Sequence, residues 1–422
     1  MRMMISMAAP VVAFVALVCG IAQAEQLLTE PRVADMAIAA NPQIKAARAR
    51  WESAMHQIAQ TVAPNDPIFS YTSGDSNHPW LNNNSYHTLQ VTEAFQFPGK
   101  AFHQRDQAIR NAEIARLALE AAIRDLRAAA GAGYYQLLLD SALGLVNDEN
   151  AANLERVEKV AEIGYAGGRV TQTDVIGAQF DLSAARQLRI QYRTAVANDE
   201  TALNQLLYRR PGEPLAVDRT LKIDHFSVPV DMLIDRANSV RQEILQAALA
   251  EQNSDTALYL AKMEYLPDFT AGYIFDHYLM NSAAPAPNRT EAQGLMIGFN
   301  VPVFFWMKQN EDVVKAKSDL EAARNDLASV TSQTAASVTT LFRSAQLAYE
   351  SALLYRDSLI PLARQDFEVA LVAYQSGKID FTALSAALQR DYNARISYLQ
   401  FANQFLAGKV ALEQAIGAPL PQ

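Results

Sequence analysis

The segment YAGGRV at residues 165–170 recurs as YQSGKI at residues 374–379, which is 209 positions further along the chain (374 − 165). The segment LNQL at 203–206 is followed at the same separation by LEQA at 412–415. A separation this long is not the period of a solenoid, whose stacked units are about 20 to 50 residues long. It indicates that one large module has been duplicated in tandem.

Two further matches extend the duplication towards the N-terminus. Pro67 is matched by Pro267 and Lys100 by Lys308, at separations of 200 and 208 positions (267 − 67 and 308 − 100). The small differences between these separations indicate insertions or deletions, which we expect in the loops between matched elements. The predicted units are a first repeat at 25–210, a connection at 211–229, a second repeat at 230–417 and a short tail at 418–422.

Residues 1–24 have the composition of an export signal peptide. Arg2 supplies positive charge, residues 11–18 form a short apolar stretch, and small residues lead to a cleavage position after Ala24. Cys19 is the only cysteine and lies within this segment, so the mature chain is predicted to contain no thiol and no disulfide. Two alternatives stay open, an uncleaved N-terminal membrane anchor and lipidation at Cys19.

The composition excludes several functional classes. With a net charge of −9, the chain lacks the basic surface that a nucleic-acid partner requires. The sequence contains no GxxxxGK[ST], HExxH or GxSxG motif and no pair of cysteines, so we predict neither an enzyme nor a cofactor. None of the six histidines has a second histidine three or four positions away, the spacing with which a helix builds a metal site, and no metal ligands are predicted.

Proline positions and hydrophobic periodicity divide each repeat into helices and strands. A helix opens each repeat and ends at proline, because proline cannot continue an α-helix. Two strands, a long helix and a returning helix follow. The predicted helices lie at 31–63, 101–164 and 171–208 in the first repeat, and at 230–265, 307–375 and 380–416 in the second.

Alternation of apolar residues with small or polar residues predicts the four strands. The apolar positions are Phe69, Tyr71, Leu89, Val91 and Phe95 in the first repeat, and Phe269, Ala271, Tyr273, Phe275, Leu295, Ile297, Phe299 and Val301 in the second. Glu93 is the exception on this face. Polar loops at 74–85 and 281–290 are predicted to form the hairpin tips. Strands of about ten residues are long enough for a tilted crossing of a bilayer.

The long helix of each repeat carries a heptad-like apolar seam. Its members are Ala108, Ala112, Ala115, Leu119, Ala122, Leu126 and Ala129 in the first repeat, and Val313, Ala316, Leu320, Ala323, Leu327 and Val330 in the second. A run of about 65 residues, at a rise of about 1.5 Å per residue, forms a rod about 100 Å long. Such a rod is too long for an ordinary globular domain.

Four strands cannot enclose a channel, and an open sheet edge in lipid leaves backbone groups unsatisfied at several kcal/mol each. We therefore expect copies of this chain to pair their edge strands in a closed ring, with the polar strand faces towards a lumen. Aromatic residues where the strands meet the helices are predicted to form an interfacial belt, with packing in an ordinary core as the alternative. These residues are Phe95, Phe97, Phe304, Phe305 and Trp306.

This combination of features resembles the TolC-like outer-membrane efflux proteins. The resemblance rests on the signal peptide, the duplicated helix-strand-strand-helix-helix order, the segment FPGK at 97–100 and the two Tyr-x-x-Gly turns, and it covers residues 28–417. It implies a mainly α fold with a membrane β-barrel portion, in which a trimeric twelve-stranded β-barrel continues as a periplasmic α-helical coiled-coil barrel. Length and overall pattern are most similar to the heavy-metal and cation efflux branch, of the CzcC and CusC types.

The resemblance also implies roles for residues in the two turns. Contacts with a periplasmic adaptor are expected at the turns themselves, at Tyr165, Gly168, Tyr374 and Gly377. Gate candidates are Thr173, Asp174, Tyr374 and Asp380, with a hydrogen bond expected between Tyr374 and Asp174. Where the best-known family member carries aspartates after the second turn, this chain has Ala383 and Ala386.

The function that the resemblance implies is a passive exit duct in the outer membrane of a Gram-negative bacterium, with its helices in the periplasm. Its partners would be two further copies of the chain, a periplasmic membrane-fusion adaptor, an inner-membrane pump of the RND type and outer-membrane lipid. Metal cations are one expected cargo; organic compounds, or proteins secreted by the type I route, are the alternative. A periplasmic coiled-coil adaptor or scaffold is the alternative of a different class, but it would not require four alternating strands.

Overall fold

The computed structural model describes residues 27–75, 84–217, 221, 223–224, 228–280 and 288–421. The predicted signal peptide and most of both hairpin tips lie outside the described residues. The first repeat contains α1 (Glu30–Ala40), α2 (Pro42–Thr61), β1 (Ile68–Asp75), β2 (Asn84–Phe95), α3 (Lys100–Ala166) and α4 (Gln172–Leu206). The second repeat contains α5 (Val230–Val240), α6 (Gln242–Met263), β3 (Phe269–Met280), β4 (Asn288–Phe299), α7 (Gln309–Leu354), a π-helical turn (Tyr355–Leu359), α8 (Ile360–Gln375) and α9 (Phe381–Ile416).

The single helix predicted at the start of each repeat is in fact two helices. The break falls at Asn41 in the first repeat and at Arg241 in the second, and both residues are extended. Asn41 precedes a proline, whose ring disfavours the helical conformation of the residue before it, and its side chain caps α2 by accepting from the backbone N–H of Gln43 at 2.8 Å. Arg241 lacks that proline, and its guanidinium donates to the carbonyl of Ala415 at 2.6 Å. A tertiary contact therefore accompanies the second break.

The four predicted strands form one antiparallel sheet in the order β1-β2-β3-β4. The register pairs apolar residues with one another, for example Phe69 with Val91, Val91 with Tyr273, and Tyr273 with Leu295. One face is therefore apolar along most of its length, and the opposite face carries small and polar residues. Within the described residues, β1 and β4 each pair on one side only.

The long helix α3 runs without interruption for 67 residues, about 100 Å at the usual helical rise. Its counterpart in the second repeat is interrupted by the π-helical turn before Pro361. Proline has no backbone N–H to donate to the carbonyl four residues earlier, so the regular helical ladder cannot continue there. Matched positions of the two repeats are 208 apart at Lys308 and 209 apart at Tyr374. The second repeat therefore contains one extra residue between Lys308 and Tyr374. This insertion lies within a helix, whereas the sequence suggested insertions in loops.

Two buried clusters hold the helices together at different heights. In the first repeat, apolar residues of α1, α3 and α4 pack into one core that includes Val33, Leu137 and Leu203. Near the turns, residues of α3 and α4 pack against residues of α8 and α9 in a second core that includes Phe367 and Leu384. The two repeats are thus joined along their rods.

No helix in the described part of the chain is both long enough and apolar enough to cross a bilayer.

Candidate functional site

The two turns between long and returning helices have the same geometry. Gly168 and Gly377 have φ values of +65° and +71°, a conformation that suits glycine because it has no Cβ. Their N–H groups donate to the backbone carbonyls of Tyr165 and Tyr374 respectively, each at 2.9 Å. The next residue in each turn donates to the carbonyl five positions earlier, also at 2.9 Å, which completes the Schellman pattern at a helix C-terminus. Both rods therefore end in the same hydrogen-bonded turn.

The returning helices begin with capped N-termini directly after these turns. In α4, the side chain of Thr171 accepts from the N–H of Asp174 at 3.3 Å, and the carboxylate of Asp174 accepts from the N–H of Thr171 at 3.1 Å. In α9, the carboxylate of Asp380 accepts from the N–H of Ala383 at 2.8 Å. Asp174 and Asp380, the two acids among the gate candidates predicted from the sequence, therefore both cap helices locally.

Tyr374 lies inside the core near the turns, where only 3% of its surface is exposed. Its ring lies against Phe381 with 6.3 Å between ring centroids, and its hydroxyl has no hydrogen-bond partner among the described residues. The hydrogen bond expected between Tyr374 and Asp174 is absent from the protomer, because the Asp174 carboxylate caps its own helix. Burial, and then the negative charge of Asp174, raise the pKa of the Tyr374 hydroxyl. Tyr165, its counterpart in the first repeat, is half exposed.

An open groove runs between α4 and α9 just beyond the turns. Its lining includes Thr173, Ile176, Phe180, Phe381, Ser385 and Gln389. Phe381 can lie across α4 because Gly177 has no side chain; a Cβ there would come within 2.8 Å of the Phe381 ring. Ile176 and Phe180 are exposed along this groove. The groove therefore presents apolar side chains of α4 beside the gate candidate Thr173.

The opposite end of the rods is fixed by a buried lysine in the FPGK segment. Gly99 takes a φ of +106°, and the Nζ of Lys100 then lies 3.0 Å from both Glu264 and Asp268 of the second repeat. Asp268 also accepts from the N–H of Phe97 at 2.7 Å. Sequence inspection identified the FPGK segment but not its two acidic partners, which are more than 160 positions away. The matched Lys308 is exposed.

The predicted belt residues lie where strands and helices meet. Phe97 is half-buried and stacks on Phe269 with 6.4 Å between centroids, whereas Phe95 is exposed. Phe304 and Phe305 each make an edge contact with Trp306, at 5.9 and 5.3 Å between centroids, and all three side chains are exposed in the protomer. Within the protomer, four of these five side chains are therefore not part of a buried core.

Two histidines that are distant in sequence meet on the apolar face of the sheet. His87 and His277 are paired across β2 and β3, with 6.5 Å between ring centroids. The Tyr71 hydroxyl lies 2.9 Å from Nδ1 of His87, and a Glu291 carboxylate oxygen lies 3.6 Å from Nδ1 of His277. In the part of the chain that the structure describes, no group of three or more histidine, cysteine or acidic residues has the geometry to hold a metal ion.

Truncation of Tyr374 to alanine is expected to loosen the helices next to the turns. It removes a buried ring from the core shared by α3, α4, α8 and α9, which we expect to cost about 3 kcal/mol. Tyr374→Phe keeps the ring and removes only a hydroxyl that has no partner, so it should cost far less. Amide hydrogen exchange over residues 367–388 measures the difference. Equal exchange in the two variants would contradict the packing role of the ring.

The family comparison and the structural comparison agree on the fold. The family model described as "outer membrane efflux protein" matches residues 33–207 and 233–418, which together form most of the chain. No match was found among curated protein sequences.

Several solved structures superpose on nearly the whole chain. The outer-membrane channel OprN is 18% identical, with a TM-score of 0.79 over 92% of this chain and 90% of OprN. The outer membrane protein VceC of Vibrio cholerae is 16% identical, with a TM-score of 0.76 over 92% and 96% of the two chains. CusC is 13% identical, with a TM-score of 0.75 over 92% of each chain. At these identities the structures show the shared fold, and the family match adds the functional class. The chain therefore belongs to the outer membrane efflux protein family, whose members are channels of the outer membrane and not enzymes.

Proposed function

We propose that three copies of this chain form a passive exit duct, which receives substrates from an inner-membrane pump of the RND type through a periplasmic adaptor. The single observation that supports this function best is the four-stranded sheet, whose outer strands β1 and β4 each pair on one side only within the part of the chain that the structure describes. A sheet edge open to lipid leaves its N–H and C=O groups unsatisfied at several kcal/mol each. Pairing of β4 with β1 of a neighbour would satisfy both edges, and three copies would give a barrel of twelve strands.

The two faces of the sheet support the same arrangement. Leu295, Ile297 and Phe299 are exposed on the apolar face of the protomer, as lipid-facing residues of a barrel would be. The opposite face carries Thr88 and Gln90, whose polar side chains suit a water-filled lumen. The exposed aromatic residues at 304–306 would then lie at the membrane interface, where aromatic rings are enriched.

The turns supply the proposed contact with the adaptor. Tyr165 is exposed, and Gly168 and Gly377 allow both rods to end in tight turns. The gate is proposed to lie among Thr173, Asp174, Tyr374 and Asp380, all of which lie in or next to the turns. Tyr374 contributes through ring packing and through a hydroxyl that is available to a new partner when the helices move.

Cargo selection is assigned to the pump and not to the duct. A duct should bind its cargo weakly, because a tight site would prevent release. Metal cations are the cargo proposed from the resemblance to CusC-type proteins, and organic compounds or secreted proteins are the alternative. OprN, VceC and CusC superpose with TM-scores between 0.75 and 0.79 at 13–18% identity, a likeness that shows the fold alone and identifies no cargo.

The proposal is tested by measuring mass and conductance on the same preparation. The mature chain is purified in detergent, and light scattering during size-exclusion chromatography should give the mass of a trimer. The same fraction should form discrete conducting channels in a planar bilayer, whereas a heat-dissociated sample should not. A chain that stays monomeric and stable in buffer without detergent would contradict the proposed duct.

A further inference from the structure

The two faces of the sheet differ in charge. Even-numbered residues of all four strands share the face that carries Thr88 and Gln90, because side chains alternate along a strand and the register pairs even positions with even positions. Within β1, β2, β3 and β4, Asp276 is the only aspartate, glutamate, lysine or arginine on this face. The opposite, apolar face carries charged residues such as Glu93 and Glu291. Asp276 is therefore a single charge on a surface that is otherwise uncharged.

Side-chain contacts agree with this assignment of the face. Thr88 lies directly opposite Asp276 in the register, and its hydroxyl donates to Oδ1 of Asp276 at 2.5 Å. Further along β3, a Cβ added to Gly272 would come within 2.8 Å of the Thr92 side chain and 3.1 Å of the Met296 side chain. Threonine, glycine and methionine thus lie beside one another on the same face as the Asp276 carboxylate.

The surroundings of Asp276 leave its charge accessible. Its register partner on β4 is Ala292, and a Cβ added to Gly294 in the next row would meet no atom within 4 Å. Residues this small cannot cover the carboxylate, and the Asp276 residue is partly exposed. Among the described residues no ion pair neutralises it, and the neighbouring His277 lies on the opposite face beside Glu291.

We propose that Asp276 makes the lumen of the β-barrel favour cations over anions. The proposal rests on the proposed function, in which copies of the chain close a barrel and this face lines its water-filled lumen. The barrel then contains a ring of carboxylates at one height, one from each copy. Rings of acidic side chains enrich cations in a pore. Since the other lumen positions of the strands are uncharged, the sign of the potential inside the barrel depends on this residue.

The hairpin segments add no formal charge that could outweigh the ring. Residues 76–83 and 281–287 contain no aspartate, glutamate, lysine or arginine. The reach of the ring is then set by salt, because the Debye length is about 30 Å at 0.01 M and about 3 Å at 1 M. At low salt the carboxylates act across the lumen, whereas at high salt they act only close to the wall. The selectivity that Asp276 supplies should therefore decrease as salt is added.

Zero-current potentials across planar bilayers test the proposal, because they report the ratio of K⁺ to Cl⁻ permeability. The KCl gradient runs between about 0.01 and 0.1 M, where the Debye length is about 30 to 10 Å. Asp276→Asn should lower the permeability ratio by about twofold, and Asp276→Lys should lower it further, because each removes or reverses the charge in the lumen. Charges elsewhere in the duct are the same in every variant, so the change in the ratio isolates the ring. At about 1 M KCl the difference between wild type and Asp276→Asn should nearly vanish.

Two control variants separate the charge from its hydrogen bond and from its position. Glu291→Gln removes an acid from the opposite face of the sheet and should leave the permeability ratio unchanged. Thr88→Val removes the hydrogen bond to Asp276 but keeps the carboxylate, so it should change the ratio less than Asp276→Asn does. Wild-type conductance at high salt shows that each variant has assembled into a channel of normal width.

The outcomes distinguish this proposal from the proposed duct. An unchanged permeability ratio for Asp276→Asn, in channels of normal conductance, would overturn the role of Asp276 and leave the duct intact. An equal fall for Glu291→Gln would also overturn it, because the acids of both faces would then act alike. Absence of conducting channels from the wild-type chain would overturn both.

Discussion

Replacement of Gly377 by proline is expected to abolish efflux while the protein still reaches the outer membrane and assembles. Gly377 has a φ of +71°, whereas the proline ring requires about −65°, so the native turn cannot form. Proline also removes the N–H that donates to the Tyr374 carbonyl at 2.9 Å. We expect the turn to be destabilised by about 3 kcal/mol or more. The strands lie at the other end of the rods, so membrane assembly should be unaffected.

Efflux is measured in cells that carry the chain together with its adaptor and pump, as the change in tolerated substrate concentration. We expect the tolerated substrate concentration to fall at least tenfold for Gly377→Pro and less for Gly377→Ala. Alanine retains the N–H, and its only cost is the positive φ, about 1 kcal/mol. Gly168→Pro provides the matched change in the first repeat, where φ is +65°. Normal efflux by a Gly377→Pro protein that is present at wild-type level would remove the case for a functional turn.

Lys100→Met is expected to cause the largest loss of stability at the junction between the sheet and the rods. The Lys100 side chain is 3% exposed, and its ammonium group lies between Glu264 and Asp268. Burial lowers the pKa of Lys100, and the hydrogen bonds to Asp268 and Glu264 raise it. The net result is a raised pKa, so the side chain is charged at physiological pH. Its removal leaves two acids adjacent without their cation. We expect a loss of about 2 kcal/mol, because both acids are partly exposed to solvent.

The measurement is the temperature at which the folded protein in detergent loses its compact mobility on a gel. Lys308→Met is the matched control, since it changes the same residue type 208 positions later at an exposed site. A clear fall for Lys100→Met with a small change for Lys308→Met would support the buried cluster. Similar melting of both variants would show that Lys100 contributes no more than a surface lysine.

Much of the secondary structure could be predicted from the sequence, because its signals are local. Period-two alternation identified all four strands, including Phe269 to Phe275 in β3, and the heptad spacing identified the long helices. Two of the three breaks that were not predicted also have local signals. Pro42 follows Asn41, and Pro361 directly follows the first residue of α8, so a proline marks each of these two interruptions in the sequence. The break at Arg241 has no such signal.

The sites were predicted less completely, because their geometry depends on residues that are far apart in the chain. Tyr374 lies at the second turn and Asp174 just after the first, and the hydrogen bond expected between them is absent because the Asp174 carboxylate accepts from the N–H of Thr171. A capping box could have been recognised from the Thr-x-x-Asp spacing at 171–174. No local pattern would have placed His87 beside His277.

The sequence alone determined the duplication, the type of each element and the alternation of faces along each strand, since each of these is a periodicity carried by neighbouring residues. Tertiary structure decided which distant groups meet: Lys100 with Asp268, and Leu139 with Leu399. It also showed which apolar side chains, such as Ile190 and Leu347, remain exposed. The physical reason is that strand register and helix packing bring together residues more than 100 positions apart, and burial of a side chain depends on those partners and not on its neighbours in sequence.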